Sequence, residues 1–247
     1  MVLPLFHIST TDAAGARIGD EVLLAGSEGR HAVSVRRMRV GEGIQLSDGA
    51  GRRIVGDVAS VGTGELSVQV TEITDEIAAV PTLELVQALA KGDRDEMAVQ
   101  AATELGIMSV VPWQAERSVS RWEGAKVSKN VERWHTISAE ASKQALRAWV
   151  PTVASPVTTK QLAQLAGPER LVLVLDPTAE LSINQVALPS SGVVSVVVGP
   201  EGGISPIELA LLEEAGAKLI RLGSEVLRTS TAGLAAISVL QARLQRW

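Results

Sequence analysis

VVSVVVGPEGGISPIE, from Val193 to Glu208, is the stretch whose reading decides the fold. Val193 to Val198 is a short, almost wholly β-branched run. It is far too short for a membrane span and too continuous for a strand with one wet face, so it reads as a strand buried on both faces. Gly199-Pro200-Glu201-Gly202-Gly203 breaks that strand. The glycines let the backbone approach a ligand closely, and Pro200 fixes the local path. Ser205-Pro206-Ile207-Glu208 restarts the chain as a helix, with Ser205 as N-cap, Pro206 in the first turn and Glu208 completing a capping box. The loop is neither G-x-G-x-x-G nor G-x-x-x-x-G-K-[ST], and it holds no lysine, so it does not read as a dinucleotide or nucleoside-triphosphate cradle.

The same architecture recurs on either side. Lys218 to Leu222 reads as a short strand, Gly223 to Ser230 as a loop, and Thr231 onward as a long apolar helix. Upstream, the strand Leu171 to Leu175 also ends in a breaker, Asp176-Pro177. Three apolar strands therefore end in loops that can lie on one edge and enclose a ligand, where open α/β sheets bind small molecules. From Thr82 the chain alternates strands and helices: Leu83–Leu89, a helix over Asp95–Leu105, Ile107–Val111, a helix over Val127–Trp149, and a helix near Thr159–Ala166. That alternation predicts a mainly parallel sheet covered on both faces.

Residues 1–75 read differently. Short segments at Glu21–Leu24, Gly43–Ser47, Arg53–Val61 and Glu65–Ile73 are separated by glycine-rich turns, which predicts a compact β-barrel. Residues 76–81 read as a linker, and 82–247 as the second domain. Arg30, Arg36, Arg37 and Arg39 cluster with His31 on one predicted helix. They are either a phosphate contact or a solvated face.

Composition narrows the classes. The chain has 247 residues, 46% of them apolar, which suits a small domain joined to a medium one. No cysteine is present, which excludes disulfides, thiolate metal sites and a thiol nucleophile; the scattered His7, His31 and His135 argue against structural zinc. No metal is expected. Met1–His7 lacks the features of an export signal, and no run approaches the roughly 20 apolar residues of a membrane span. The reading is a soluble, cytoplasmic protein with no membrane partner. A net charge of −5 argues against indiscriminate nucleic-acid binding but leaves room for a local basic patch. With one Phe, five Trp and no Tyr, a base-stacking platform is not expected, and the Trp residues read as packing.

GPEGGISPIE (Gly199–Glu208) followed by LGSEVLRTSTA (Leu222–Ala232) resembles the SPOUT class of S-adenosylmethionine-dependent RNA methyltransferases. Within that class the pair is similar to the family that methylates N3 of a uridine in small-subunit (16S) ribosomal RNA. KGDRDEMAVQAATELGIMSVVPWQAERS (Lys91–Ser118) and RWHTISAEASKQALRAWVP (Arg133–Pro151) extend the likeness over most of the chain, and GEGIQLSDGAG is similar to the family's PUA-like domain. Three positions depart from the pattern: Glu225 where arginine is usual, Ser230 where glutamate is usual, and Lys143 where an acidic residue is usual.

The resemblance implies an α/β SPOUT domain with a C-terminal deep trefoil knot, preceded by a PUA-like RNA-binding domain. It also implies a homodimer packed partly through the apolar helix Ala232–Leu240, acting on ribosomal RNA of the small ribosomal subunit. The implied cofactor is S-adenosyl-L-methionine, held by Leu175, Asp176, Gly199, Pro200, Glu201, Gly202, Gly203, Leu222, Gly223, Val226, Leu227, Arg228 and Thr231. Arg228 is the first catalytic candidate, because a guanidinium suits the charge that develops on a uracil oxygen. Glu201 either assists deprotonation or orders its loop, and the ordering role is favoured. Lys91, Arg117 and Arg147 match family positions and join the arginine cluster as RNA-contact candidates. The alternative is a catalytically inactive, ribosome-associated RNA-binding protein that keeps the fold, which Glu225 and Ser230 make thinkable.

Overall fold

The computed structural model describes residues 2–247. They divide into two compact units: the chain up to Ala78 together with Ser142–Val150, and Ala79–Ala141 together with Pro151–Trp247.

In the first unit, β1 (Leu5–His7), α1 (Thr10–Gly15), β2 (Glu21–Leu24), α2 (Gly26–Arg30), β3 (Gly43–Ser47), β4 (Arg52–Val61) and β5 (Leu66–Asp75) follow in chain order. The strands form one sheet in the order β1-β3-β4-β5-β2. The alternation in β5 buries Leu66, Val68 and Val70 against Phe6, Leu24, Ile44, Leu46 and Ile54. Gly56 lies at a break in the β4–β5 register, where a Cβ would come within 2.2 Å of the Gln69 carbonyl oxygen, so the strands close up only around glycine. The three-residue β1 is too short to show a period in the sequence.

Two expectations are corrected here. The arginine cluster does not sit on one regular helix. After α2, residues His31–Val35 form a wide π turn closed by the Arg36 N–H on the His31 carbonyl at 3.0 Å, and Arg37 then takes a left-handed φ of 55°. The long helix read as Val127–Trp149 also stops early, because Leu146 adopts φ 55°. Ser142–Val150 instead packs in the first unit. Ser47 Oγ donates to Ala148 O at 3.0 Å, the Val150 N–H to Gly49 O at 2.9 Å, and Trp149 Nε1 to Glu76 O at 3.2 Å.

In the second unit, β6 (Thr82–Ala88), α3 (Arg94–Glu104), β7 (Ser109–Gln114), α4 (Ala125–Gln144, whose last three residues belong to the first unit), β8 (Thr152–Val153), β9 (Val157–Thr158) and α5 (Thr159–Ala163) come first. They are followed by β10 (Arg170–Leu175), β11 (Val193–Val198), α6 (Pro206–Glu214), β12 (Lys218–Ile220) and α7 (Thr229–Arg243). The sheet order is β12-β10-β11-β6-β7-β8, with β9 also beside β7, and every pair is parallel. Central strands read as continuous apolar runs because helices cover both faces. Leu83, Leu85, Val194, Val196 and Val198 pack on one face with Val99 of α3 and Ile237 and Leu240 of α7. Val86, Val172, Val174 and Val197 pack on the other with Leu162 and Leu212.

Helix α7 lies close against the sheet. A Cβ at Gly233 would stand 3.0 Å from Leu85 Cδ1 and 3.1 Å from Val198 Cγ2, so only glycine admits this approach without displacement. One charge is buried in the sheet: the Glu84 carboxylate pairs with Arg170 and accepts from the Ser109 and Ser195 hydroxyls at 2.8 Å each. The two serines lie on the strands that flank β6, and Arg170 reaches across β11 from β10, so the carboxylate is satisfied where water does not reach.

Candidate active site

The loops that follow β10, β11 and β12 converge on one cavity of about 600 Å³ at the carboxyl edge of the parallel sheet. Each loop is locally determined. After β11, the Gly203 N–H closes a turn on the Pro200 carbonyl at 2.9 Å, and Gly203 holds φ 74°, a conformation other residues rarely adopt. A Cβ at Gly199 would meet Ile204 Cγ1 at 2.7 Å. Helix α6 starts as its sequence predicts: Ser205 Oγ accepts from the Glu208 N–H, and a Glu208 oxygen accepts from the Ser205 N–H. The other oxygen of Glu208 accepts from Thr159 Oγ1 at 2.6 Å and from the Glu116 N–H at 2.9 Å. Burial pushes the Glu208 carboxyl up, but those hydrogen bonds outweigh it and hold the group below its ordinary value, so it stays an ionised tether.

The other two loops are tied together. The Asp176 N–H donates to Ile220 O at 2.9 Å, the Ile183 N–H to Arg221 O at 3.0 Å, and the Arg221 N–H to Leu181 O at 2.9 Å. Arg228 ends the loop after β12 as the N-cap of α7, exposed on the cavity wall, and it makes no ion pair among the described residues.

Among the expected cofactor contacts, Leu175, Asp176, Gly199, Pro200, Glu201, Gly203, Leu222, Gly223, Val226, Leu227 and Arg228 all line the cavity. Gly202 and Thr231 do not. Gly202 faces away, where a Cβ would meet Arg117 Cβ at 3.2 Å, and its carbonyl accepts from Arg117 Nη1 at 3.0 Å. Thr231 is exposed near the start of α7, with its hydroxyl on the Arg228 carbonyl.

Arg94 is the side chain the sequence reading missed. It lines the cavity, and its Nη1 lies 2.9 Å from Glu201 Oε1, which also accepts from the Lys91 N–H at 3.3 Å. Partial burial raises the Glu201 carboxyl, yet hydrogen bonds from its own N–H, the Lys91 N–H and Arg94 bring it below its ordinary value. Glu201 is thus a charged anchor for its loop. A tight turn presents Arg94, with φ 65° at Gly92 and 58° at Asp93. Beneath it the buried Asp95 accepts from the Ala90 N–H at 3.1 Å, and burial raises its carboxyl. Gly92, directly after Lys91, is the local sequence signal for this turn.

The RNA-contact candidates fall into two sets. Arg30, Arg36, Arg37 and Arg39 are exposed in the first unit and make no ion pair among the described residues. Lys91 and Arg117 are exposed in the second unit, beside the Glu201 loop. Arg147 belongs to the first unit, partly buried; burial lowers its guanidinium to about 10, against the pull of Glu76. Of the three unusual residues, Glu225 lines the cavity, Ser230 is buried in the first turn of α7, and Lys143 Nζ lies 2.7 Å from Glu28 Oε1. Among the described residues, no group of three or more His, Asp or Glu is placed to hold a metal ion, and no helix is long and apolar enough to cross a membrane.

A family profile described as an RNA methyltransferase domain matches residues 78–241, and one described as an RNA methyltransferase PUA domain matches residues 24–71. The ribosomal RNA small subunit methyltransferase E of Mycobacterium bovis is 40% identical over 251 aligned residues, covering 100% of this chain and 94% of the relative. The chain belongs to the ribosomal RNA small subunit methyltransferase E family. The Bacillus subtilis member of this methyltransferase E family is 32% identical and covers 88% of each chain. A crystal structure of the Neisseria gonorrhoeae methyltransferase E, bound to S-adenosyl methionine, superposes with a TM-score of 0.87 at 27% identity over 98% of both chains.

Proposed function

We propose that this chain transfers a methyl group from S-adenosylmethionine to N3 of a uridine in small-subunit ribosomal RNA. The observation that carries the reading is the convergence of the Gly199–Gly203 loop and the Leu222–Arg228 loop on one cavity with an unpaired guanidinium on its wall. The residues fit the cofactor. The volume of about 600 Å³ falls in the range of roughly 300–1,000 Å³ that holds ligands of this size. Apolar side chains of Leu175, Leu222, Val226 and Leu227 and the bare backbone at Gly199 and Gly203 would hold it. When bound, S-adenosylmethionine supplies an electrophilic methyl group on a sulfonium.

The protein's contribution is then position and charge. Loss of the N3 proton to water spreads negative charge onto the exocyclic O2 and O4 of the uracil, and as N3 bonded to the methyl carbon the carbon–sulfur bond would break and the neutral thioether would leave. Arg228 faces the cavity without a carboxylate to neutralise it, so its guanidinium is available for that charge. Glu201 keeps the ordering role, because Arg94 and the Lys91 N–H already engage the carboxylate.

We further infer that the first unit supplies RNA contacts through Arg36, Arg37 and Arg39, and that the C-terminal segment threads a loop as a deep trefoil knot. The strand order β12-β10-β11-β6 and the likeness to the Neisseria structure support the second point. A homodimer packed partly through α7, in the cytoplasm, completes the reading. Incubation with S-adenosylmethionine labelled in its methyl group tests it. Label should enter small-subunit RNA and not large-subunit RNA; label in neither would contradict it.

A further inference from the structure

We infer that Gln87 and Thr229 are positioning residues for the reaction, holding Arg228 and the Gly199 loop in register; the inference rests on the function proposed above. Gln87 stands near the end of the central strand β6, opposite Val198 of β11, and is fully buried. Its Nε2 donates to Thr229 Oγ1 at 2.9 Å and to Ala88 O at 3.1 Å. Thr229 Oγ1 in turn donates to the Gly199 carbonyl at 2.9 Å. Thr229 has a single hydroxyl proton, and it goes to Gly199, so the hydroxyl must accept from an N–H. That requirement fixes which end of the Gln87 amide faces it.

The chain of bonds therefore runs from the sheet core, through the first residue of α7, to the residue that opens the cofactor loop. Thr229 directly follows Arg228, so the hydroxyl that fixes Thr229 also fixes the backbone from which the guanidinium projects. Arg228 has no side-chain tether of its own among the described residues, and its carbonyl accepts only from Thr231 and Ala232 within α7, so the Thr229 hydroxyl is the bond that ties this end of the helix to the Gly199 loop.

A second observation argues against a purely structural role. Gln87 Oε1 is buried and has no hydrogen-bond partner among the described residues. A buried carbonyl without a partner is unfavourable, and an apolar side chain of similar size would avoid it. What an apolar side chain cannot do is hold Thr229. Local destabilisation of this kind is expected where a site needs a fixed geometry more than it needs stability.

The test compares Gln87→Leu, Thr229→Val, the double variant and Thr229→Ser with the parent. Single-turnover methylation should slow roughly tenfold or more in Gln87→Leu and in Thr229→Val, since a small misplacement of a catalytic group is enough. The double variant should be no slower than the slower single variant, because both break one chain. Thr229→Ser keeps the hydroxyl and should return the rate to within about twofold of the parent. The melting temperature of Gln87→Leu should stay at or above that of the parent.

Parent-like rates in both single variants, or a rate loss that follows a fall in melting temperature and is not rescued by Thr229→Ser, would overturn the inference. Deuterium exchange in the ligand-free protein separates it from the proposed function. Amides of residues 199–204 should exchange faster in Gln87→Leu and Thr229→Val and like the parent in Thr229→Ser. Should the parent transfer no methyl group, the proposed function falls and exchange alone decides, with unchanged protection overturning the positioning role.

Discussion

Arg94 and Glu201, which stand 107 positions apart in the chain, form an ion pair with Nη1 2.9 Å from Oε1 at the rim of the cavity. The pair ties the start of α3 to the loop after β11, so the loop's position depends on a side chain from a different part of the sheet edge. Both groups are partly exposed, which keeps the direct contribution to stability small. Its consequence is expected in ligand binding.

The pH dependence of cofactor affinity follows from Glu201. Its carboxyl lies below the ordinary value of 4.5 in the folded protein, so the contribution is present above about pH 4.5 and is lost as pH falls through the lower folded value. Calorimetry with S-adenosylmethionine should show loop-dependent affinity flat from about pH 5 to 8 and falling below about pH 4.5. Arg94→Met should weaken binding and move the Glu201 carboxyl, followed by carbon NMR, back toward its ordinary value.

Two glycines in one loop should respond differently. Gly199→Val would drive a Cβ to 2.7 Å from Ile204 Cγ1 and distort the cavity, so cofactor affinity should fall by roughly tenfold or more. Gly202→Ala points its Cβ at Arg117, away from the cavity, and should cost little affinity. Equal losses measured by calorimetry would contradict the loop geometry.

Replacing Arg36, Arg37 and Arg39 with Gln should weaken ribosomal RNA binding and leave cofactor affinity unchanged. Because the chain leaves helical geometry at Arg37, the three side chains are not bound to helical spacing, and all three are exposed. The log–log salt slope should flatten by roughly 0.7 to 0.9 for each phosphate that the variant no longer neutralises. Parent affinity and slope would make this cluster a solvated face.

Lys143 is 8% exposed and pairs with Glu28, itself partly buried, at 2.7 Å. Lys143→Met leaves the Glu28 carboxylate without that ammonium and should destabilise the protein by about 2 kcal/mol, between the values for exposed and buried pairs. A denaturant midpoint equal to the parent's would show that the pair contributes nothing.

What could be read from the sequence was what short-range chemistry determines. The buried strand Val193–Val198 and the Ser205–Glu208 capping box each depend on residues within a few positions, and both stand as read, whereas in the glycine turn between them Gly202 faces Arg117 and not the cavity. Arg94 was not legible because its partner is remote in sequence, and Gln87 was not because its polar neighbour in the strand, Glu84, stands three positions away on the other face and the two set no period. The helix over Val127–Trp149 was overextended for a related reason. Trp149 and Val150 take hydrogen-bonding partners around Gly49 and Glu76, and such tertiary bonds override a helical pattern.

The central claim is that the cavity beside Arg228 methylates N3 of a uridine. Nucleoside mass spectrometry of methyl-free small-subunit RNA, incubated with S-adenosylmethionine and either the parent or Arg228→Ala, tests it most directly. The parent should yield 3-methyluridine, and Arg228→Ala should yield it at a rate lower by roughly 100-fold with nearly unchanged cofactor affinity. No 3-methyluridine with the parent, or the same rate with both proteins, would contradict it.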